Sequence, residues 1–200
     1  MAKIDLVRRA EIGRERRSRT RAQILEAAAK LFAEQAVAAV TVDSVVAAAG
    51  VAKGTFYYHF QNMEDLAAAV SAKLAESFDH LLAPELREMR DPIERLSFAF
   101  KKYLDKATAD PIWTRLIVQG SQAPGDFVPE VRAHIKTDII QAIADRRVSI
   151  EDADLAADLV IGIWIQIARS TLDRRPAADL PDEALAALLR ALGVQTKRKQ

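Results

Sequence analysis

Apolar residues recur along this chain at intervals of three and four and almost nowhere in strict alternation, a pattern that predicts helices and no sheet. Ile24, Leu25, Ala28, Leu31 and Phe32 share one face of a first helix running from about Ser18 to Gln35. Thr41 is a good N-cap for a short second helix, with Asp43 in its first turn and Gly50 as its stop. A third short helix covers about Ala52 to His59. A fourth runs from near Asn62 to about Leu82, where Leu66, Val70, Leu74 and Phe78 fall on one stripe and Pro84 is expected to end the pattern. Asp91-Pro92, Asp110-Pro111, Pro129 and Pro181 open further helices, because proline is tolerated in a first helical turn. A long helix covers about Glu151 to Leu172, and the last stops at Gly193. The expected fold is all-α, with about nine helices and a Gly/Pro-rich loop over residues 120–129.

Half of the 200 residues are apolar and 28% are charged, the mixture of a globular chain with a sizeable core. The net charge of +1 gives no global attraction to nucleic acid, but its distribution is uneven. Residues 1–66 carry ten Lys/Arg against eight Asp/Glu, whereas residues 67–200 carry nineteen against twenty. Seven arginines fall within residues 8–21, with Glu11 and Glu15 as the acids among them. Such a segment is either a local phosphate-binding surface or a solvated terminus. The absence of cysteine excludes disulfides and thiolate chemistry. No signal-like run opens the chain, and Leu159–Ala168, the most apolar stretch, falls short of the ~20 residues that span a bilayer. A cytoplasmic protein with no membrane partner is expected.

Catalysis finds little support. His59, His80 and His134 are far apart in sequence, and no phosphate-binding glycine loop, nucleophile elbow or metal-ligand spacing occurs. Acidic pairs such as Glu64-Asp65 sit at helix starts, where capping explains them. No catalytic residue, cofactor or metal is expected.

The second and third helices, joined by a tight glycine turn, form a helix-turn-helix. Gly50 lets the chain reverse without a Cβ penalty, so the third helix crosses the second and is free to enter a major groove. That helix carries Lys53, Thr55, Tyr57, Tyr58 and His59. Gly54 costs ~1 kcal/mol relative to Ala in a helix interior. Close approach to DNA and close packing on the first helix both account for it. Alone, the tyrosines read as ordinary half-buried aromatics, Lys53 as a solvated lysine and His59 as a helix-end residue. Together, Thr41 to Leu66 (TVDSVVAAAGVAKGTFYYHFQNMEDL) resembles the signature of the TetR family. The resemblance covers about residues 18–66. It implies that Lys53 and Thr55 face bases or nearby phosphates, that Tyr57, Tyr58 and His59 contact phosphates, and that Phe56 and Phe60 anchor the helix. It also makes Thr41 the cap of the second helix, with its neighbourhood touching the backbone of the duplex. Two departures stand out: Ala52 replaces a Ser/Thr cap, and Met63 replaces a phosphate-binding Lys. Arg17, Arg19 and Arg21 are the expected compensation.

The resemblance sets the expected organisation: a basic, flexible arm over residues 1–17, a DNA-binding domain over 18–62, a ligand-binding and dimerisation bundle over 63–194, and a disordered tail over 195–200. It implies a homodimeric, ligand-responsive repressor of a pseudo-palindromic double-stranded DNA operator. The scarcity of clustered charge in the bundle points to a small, mainly apolar or aromatic effector. Phe100, Tyr103, Trp113 and Trp164 on the middle helices are candidates to line its pocket, with Gln119, Gln166 or Arg169 to orient it. The bland reading of each aromatic is ordinary core, and each polar group equally suits an exposed flank or an interface hydrogen bond. Leu159, Gly162, Ile163 and Ile167, with Leu185, Leu188 and Leu189, form the apolar stripes expected at a two-fold interface. A helix-turn-helix structural or adaptor protein with no effector is the alternative.

Overall fold

The computed structural model describes residues 2–35, 37–121, 128–173 and 177–194, with the backbone alone for residues 2–7, 9 and 10. Among them are nine α-helices: α1 (Ala2–Glu34), α2 (Val42–Ala49), α3 (Lys53–His59), α4 (Met63–Glu88), α5 (Pro92–Ala109), α6 (Pro111–Gly120), α7 (Pro129–Ala144), α8 (Ala153–Asp173) and α9 (Leu180–Ala191). Phe127, most of the 120–129 loop and the tail 195–200 lie outside the described residues. The chain divides into two compact units, Met1–Val70 and Ser71–Gln200. The division therefore falls inside α4 rather than after residue 62, because Leu66, Ala67 and Val70 at the start of that helix are buried with the first unit.

The first unit closes over Ile24, Ala28 and Phe32 of α1, Val45 of α2, Phe56 of α3 and Phe60, each at most 4% exposed. Helix α1 begins at Ala2, not near Ser18, so the expected basic arm is helical. The residues before Ser18 show no apolar stripe, which hides them from a reading of periodicity. They are nonetheless rich in Arg, Glu and Ala, which are strong helix formers, and contain no proline. Thr41 caps α2 by accepting from Ser44 N–H at 3.2 Å, and Ser44 Oγ returns the bond to Thr41 N–H at 3.1 Å, a complete capping box. Gly50 ends the helix at φ 64°, a left-handed conformation that glycine adopts without strain.

In the second unit α5 packs against α6, α7, α8 and α9. Its caps follow the sequence signals: Asp91 accepts from Ile93 N–H at 2.8 Å, and Asp110 accepts from Trp113 N–H at 3.0 Å to start α6. Pro84 does not end α4, which runs on to Glu88. Proline there forfeits one backbone bond, while Leu82 before it and Leu86 after it still bury against the core. Gly193 (φ 65°) lies so close to Ser149 that a Cβ would approach within 2.6 Å, and Ser149 Oγ donates to its carbonyl at 3.1 Å. Helix α8 as a whole is long and apolar enough to cross a membrane, unlike its central stretch alone. One face of it, Ala156, Ala157, Val160, Trp164 and Ala168, is nonetheless buried in the helical core.

Candidate functional site

In the first unit the Gly50 turn releases the chain into α3. Its start is held by backbone alone, since Ala52 offers no side-chain cap; Thr55 N–H donates to the Ala52 carbonyl at 2.9 Å. Phe56 is wholly buried and packs edge-on to the Tyr57 ring at 5.3 Å, so the inward face is anchored and the opposite face is presented. That face carries Tyr57, 54% exposed, and Tyr58, 67% exposed. Leaving two large aromatics in water forgoes burial worth about 25 cal/mol per Å² of apolar surface, which marks them for contact with something else. Lys53 is exposed and paired with Asp43 of α2 at 2.8 Å. Thr41 is exposed, and its hydroxyl is engaged in the cap.

Gly54 has open space where a Cβ would stand, with nothing within 4 Å. Close packing on the first helix is thereby removed as its reason, and approach from outside remains. Beside it, Arg16, Arg17 and Thr20 of α1 face Gly54, Thr55, Tyr58 and His59 of α3 across an open groove. Arg17, Arg19 and Arg21 are all exposed. Arg21 stacks its guanidinium 5.0 Å from the Phe60 ring, which fixes the charge near the end of α3. Burial, with Arg21 and Arg17 nearby, holds the His59 imidazole below its ordinary value of 6.5. The groove is cationic and lined by hydroxyl donors, the chemistry that grips a phosphate backbone. Sequence alone does not single out Arg16 and Thr20; their spacing from Arg17 becomes meaningful only once α1 is helical that far back.

The second unit holds a cavity of about 70 Å³. Phe100 and Tyr103 of α5 and Trp164 of α8 line it. Trp113 stands behind, in edge contact with Trp164 at 5.9 Å and tilted against Tyr103 at 6.2 Å. Tyr103 Oη donates to the Ala75 carbonyl at 3.0 Å, and burial pushes its phenol well above the usual range. Gln119 is exposed and lies outside the lining, so it does not orient a ligand there. Ile117, two residues earlier and about 200° around the helix, faces the cavity instead. Gln166 and Arg169 are also absent from the lining. The polar groups that do face it are Asp79 of α4 and His134 and Asp138 of α7. His134 Nδ1 lies 2.6 Å from Asp79 Oδ2, and Arg95 reaches Asp138 Oδ1 at 2.6 Å. Burial raises the Asp138 carboxyl above its ordinary value, against the pull of Arg95. Charge does cluster in this unit, then, across elements far apart in sequence. The legible signal is register: Asp79 sits four residues after buried Ala75, and Asp138 sits seven after buried Val131, both on core-facing stripes.

Of the residues expected at a two-fold interface, Leu188 is wholly buried within its own chain and drops out. It faces inward with Ala184 and Leu192, at the spacing of one helical stripe. Leu159, Ile163 and Ile167 of α8 and Leu185 and Leu189 of α9 lie outside the fully buried set, and Gly162 is exposed with open space around it.

Residues 24–70 match the family described as "Bacterial regulatory proteins, tetR family", and residues 91–200 match "Tetracyclin repressor-like, C-terminal domain". Similar proteins include the HTH-type transcriptional regulator TtgR of Pseudomonas putida, 40% identical over 81 residues, 40% of this chain and 39% of TtgR. The HTH-type transcriptional regulator HbdR of an Aromatoleum species is 26% identical over 141 residues, 70% of this chain and 54% of HbdR. The matched segments thus span about two fifths of the length of TtgR and about half that of HbdR. The crystal structure of RolR in complex with resorcinol superposes with a TM-score of 0.72 at 26% identity, covering 90% of this chain and 91% of RolR. With a matched helix-turn-helix segment followed by a matched C-terminal domain over more than half its length, the chain belongs to the TetR family of bacterial transcriptional regulators.

Proposed function

We propose that this protein is a ligand-released transcriptional repressor that binds a pseudo-palindromic operator as a homodimer. The observation that carries the reading is the pairing of opposite arrangements in one chain. One unit presents Tyr57 and Tyr58 beside an arginine-lined groove, and the other surrounds an aromatic cavity. The outward helix supplies contacts to a duplex, and the arginines supply the salt-sensitive part of the affinity. The cavity admits a small effector of mainly aromatic character, in keeping with the resorcinol bound by RolR. A ligand shifts operator affinity only by its differential affinity for two conformations of the protein. Helix α4, which contributes residues to both units, is the element through which we expect that difference to pass.

Dimerisation rests on the outer face of α8. Leu155 is 51% exposed, and Leu159, Gly162, Ile163 and Ile167 follow it along the helix. The bare Gly162 lets a second helix approach closely, and Leu185 and Leu189 of α9 extend the apolar surface. Two copies joined there would carry two recognition helices related by a two-fold axis.

The test is fluorescence anisotropy on a labelled fragment from upstream of the protein's own coding sequence, in excess competitor DNA. Specific, saturable binding as a dimer, weakened by a small aromatic ligand, is the expected result. Binding that competitor removes entirely, or a monomer on DNA, would overturn it.

A further inference from the structure

The cavity of the second unit is lined mainly by apolar side chains, with Asp79, His134 and Asp138 among them. Asp79 is 7% exposed, and His134 Nδ1 donates to its Oδ2 at 2.6 Å. Asp138 faces the same space, held on one oxygen, Oδ1, by Arg95 Nε at 2.7 Å and Nη2 at 2.6 Å. Trp164, of the same lining, is 8% exposed, and its buried Nε1 has no hydrogen-bond partner among the described residues. A buried donor left unmade is costly, and a wholly apolar ligand would leave it so. An ionised carboxylate only accepts hydrogen bonds, whereas an indole N–H only donates. The lining therefore asks its occupant both for a donor, to the carboxylates, and for an acceptor, to the tryptophan N–H.

We propose that this cavity selects a neutral hydroxylated aromatic ring, a phenol or benzenediol, whose hydroxyl donates to Asp79 or Asp138 and whose hydroxyl oxygen accepts from Trp164 Nε1. The inference rests on reading the cavity as the effector site and names the chemistry of the ligand. A hydroxyl both donates and accepts, so one functional group meets both demands. The ring matches Phe100, Tyr103 and Trp164. An anion is disfavoured, because a ligand carboxylate would face Asp79 and Asp138. Each carboxylate already has a partner on one oxygen, Arg95 on Asp138 and His134 on Asp79, so a ligand ammonium is not needed to satisfy either, and a neutral hydroxyl suffices for the free oxygens. At about 70 Å³ the cavity is smaller than the roughly 150 Å³ one that takes benzene, so the lining has to yield to admit a single ring.

The test is calorimetric titration of the full chain with catechol, resorcinol and hydroquinone. Toluene and anisole serve as rings without a donor, and benzylamine and benzoate as charged rings. At least one benzenediol is expected to bind about tenfold more tightly than any of these four. Asp79→Asn should weaken that diol about tenfold and leave toluene unchanged. Trp164→Phe, which keeps a ring and removes the N–H, should weaken it severalfold. Should Asp79→Asn fail to fold, Trp164→Phe and His134→Ala, the latter at a side chain 64% exposed, carry the same comparison. Equal binding of toluene or anisole, preference for benzylamine or benzoate, no diol binding, or diol binding indifferent to the substitutions would overturn the proposal. Repeating the titration with operator fragment separates the two readings. Asp79-dependent diol binding without change in operator affinity removes ligand-released repression and keeps hydroxyl recognition. Operator release by toluene as readily as by a diol does the reverse.

Discussion

Tyr57 and Tyr58 of the first unit are more than half exposed, whereas Tyr103, Trp113 and Trp164 of the second are at most 8% exposed. Both groups sit on helices, and both include an edge-to-face aromatic contact, Phe56 with Tyr57 and Tyr103 with Trp164. What differs is which side of the helix the ring occupies. A partner as large as a duplex would have to be met on an outer face, and the first unit anchors α3 with Phe56 and Phe60 and leaves the tyrosines out. A small effector would have to be surrounded, and the second unit turns its rings inward with polar groups among them. Aromatic content thus says little about function until the register of each ring is known.

The sharpest way to break that comparison is to remove a ring from each unit. Trp113→Ala should cost about 3–5 kcal/mol of stability in urea denaturation, the cost of a large core deletion. Tyr57→Ala and Tyr58→Ala should each leave stability within about 0.5 kcal/mol and weaken operator binding about tenfold, the size of a missing hydrogen bond to a charged group. Reversal of that pattern would mean that the exposed tyrosines are structural. The arginine groove comes next. Replacing Arg17, Arg19 and Arg21 with Ala should flatten the dependence of log affinity on log salt by about 0.9 for each phosphate no longer neutralised. A slope that stays the same places those arginines off the duplex.

Gly54→Ala gives a smaller and more diagnostic effect. Open space around the position and the better helix propensity of alanine predict stabilisation by about 0.4–1 kcal/mol in thermal unfolding. Operator affinity should nonetheless fall, because the added methyl meets the duplex. Unchanged affinity would leave the glycine without a role. The smallest effect concerns His59. Its imidazole is held below 6.5 in the free protein, so the unfolded chain protonates first, and stability of this unit falls as pH drops below about 6.5. A phosphate beside the ring would favour the protonated form. Operator affinity should therefore rise a few-fold as pH falls from about 7 toward the depressed value, and His59→Gln should abolish the rise.

Reading the chain in one dimension recovers elements well and sites unevenly. Helix ends marked by Asp91-Pro92, Asp110-Pro111 and Gly50 fall where their capping chemistry demands, because a cap needs only neighbours in sequence. Periodicity starts α1 too late because residues 2–17 carry no apolar stripe, and periodicity registers little else. Pro84 misleads because its local penalty is set against burial of Leu82 and Leu86 on other elements. The residues of α3 proposed to face DNA are legible since they share one seven-residue helix with a distinctive pattern. Gln119 and Leu188 fall away from their expected places because a stripe shows that a face exists and not what lies opposite it.

Local chemistry determined the all-helical fold, the helix-turn-helix and the residues offered by α3, since each depends on spacing within a few turns of one helix. Tertiary structure alone decided that Asp79 meets His134 from 55 positions away, that Trp164 faces a cavity with its N–H unmatched, and that Gly54 stands clear of its own protein. Those are statements about which faces meet across the core. Side-chain packing between distant segments fixes them, and no periodicity along a single stretch of sequence encodes it.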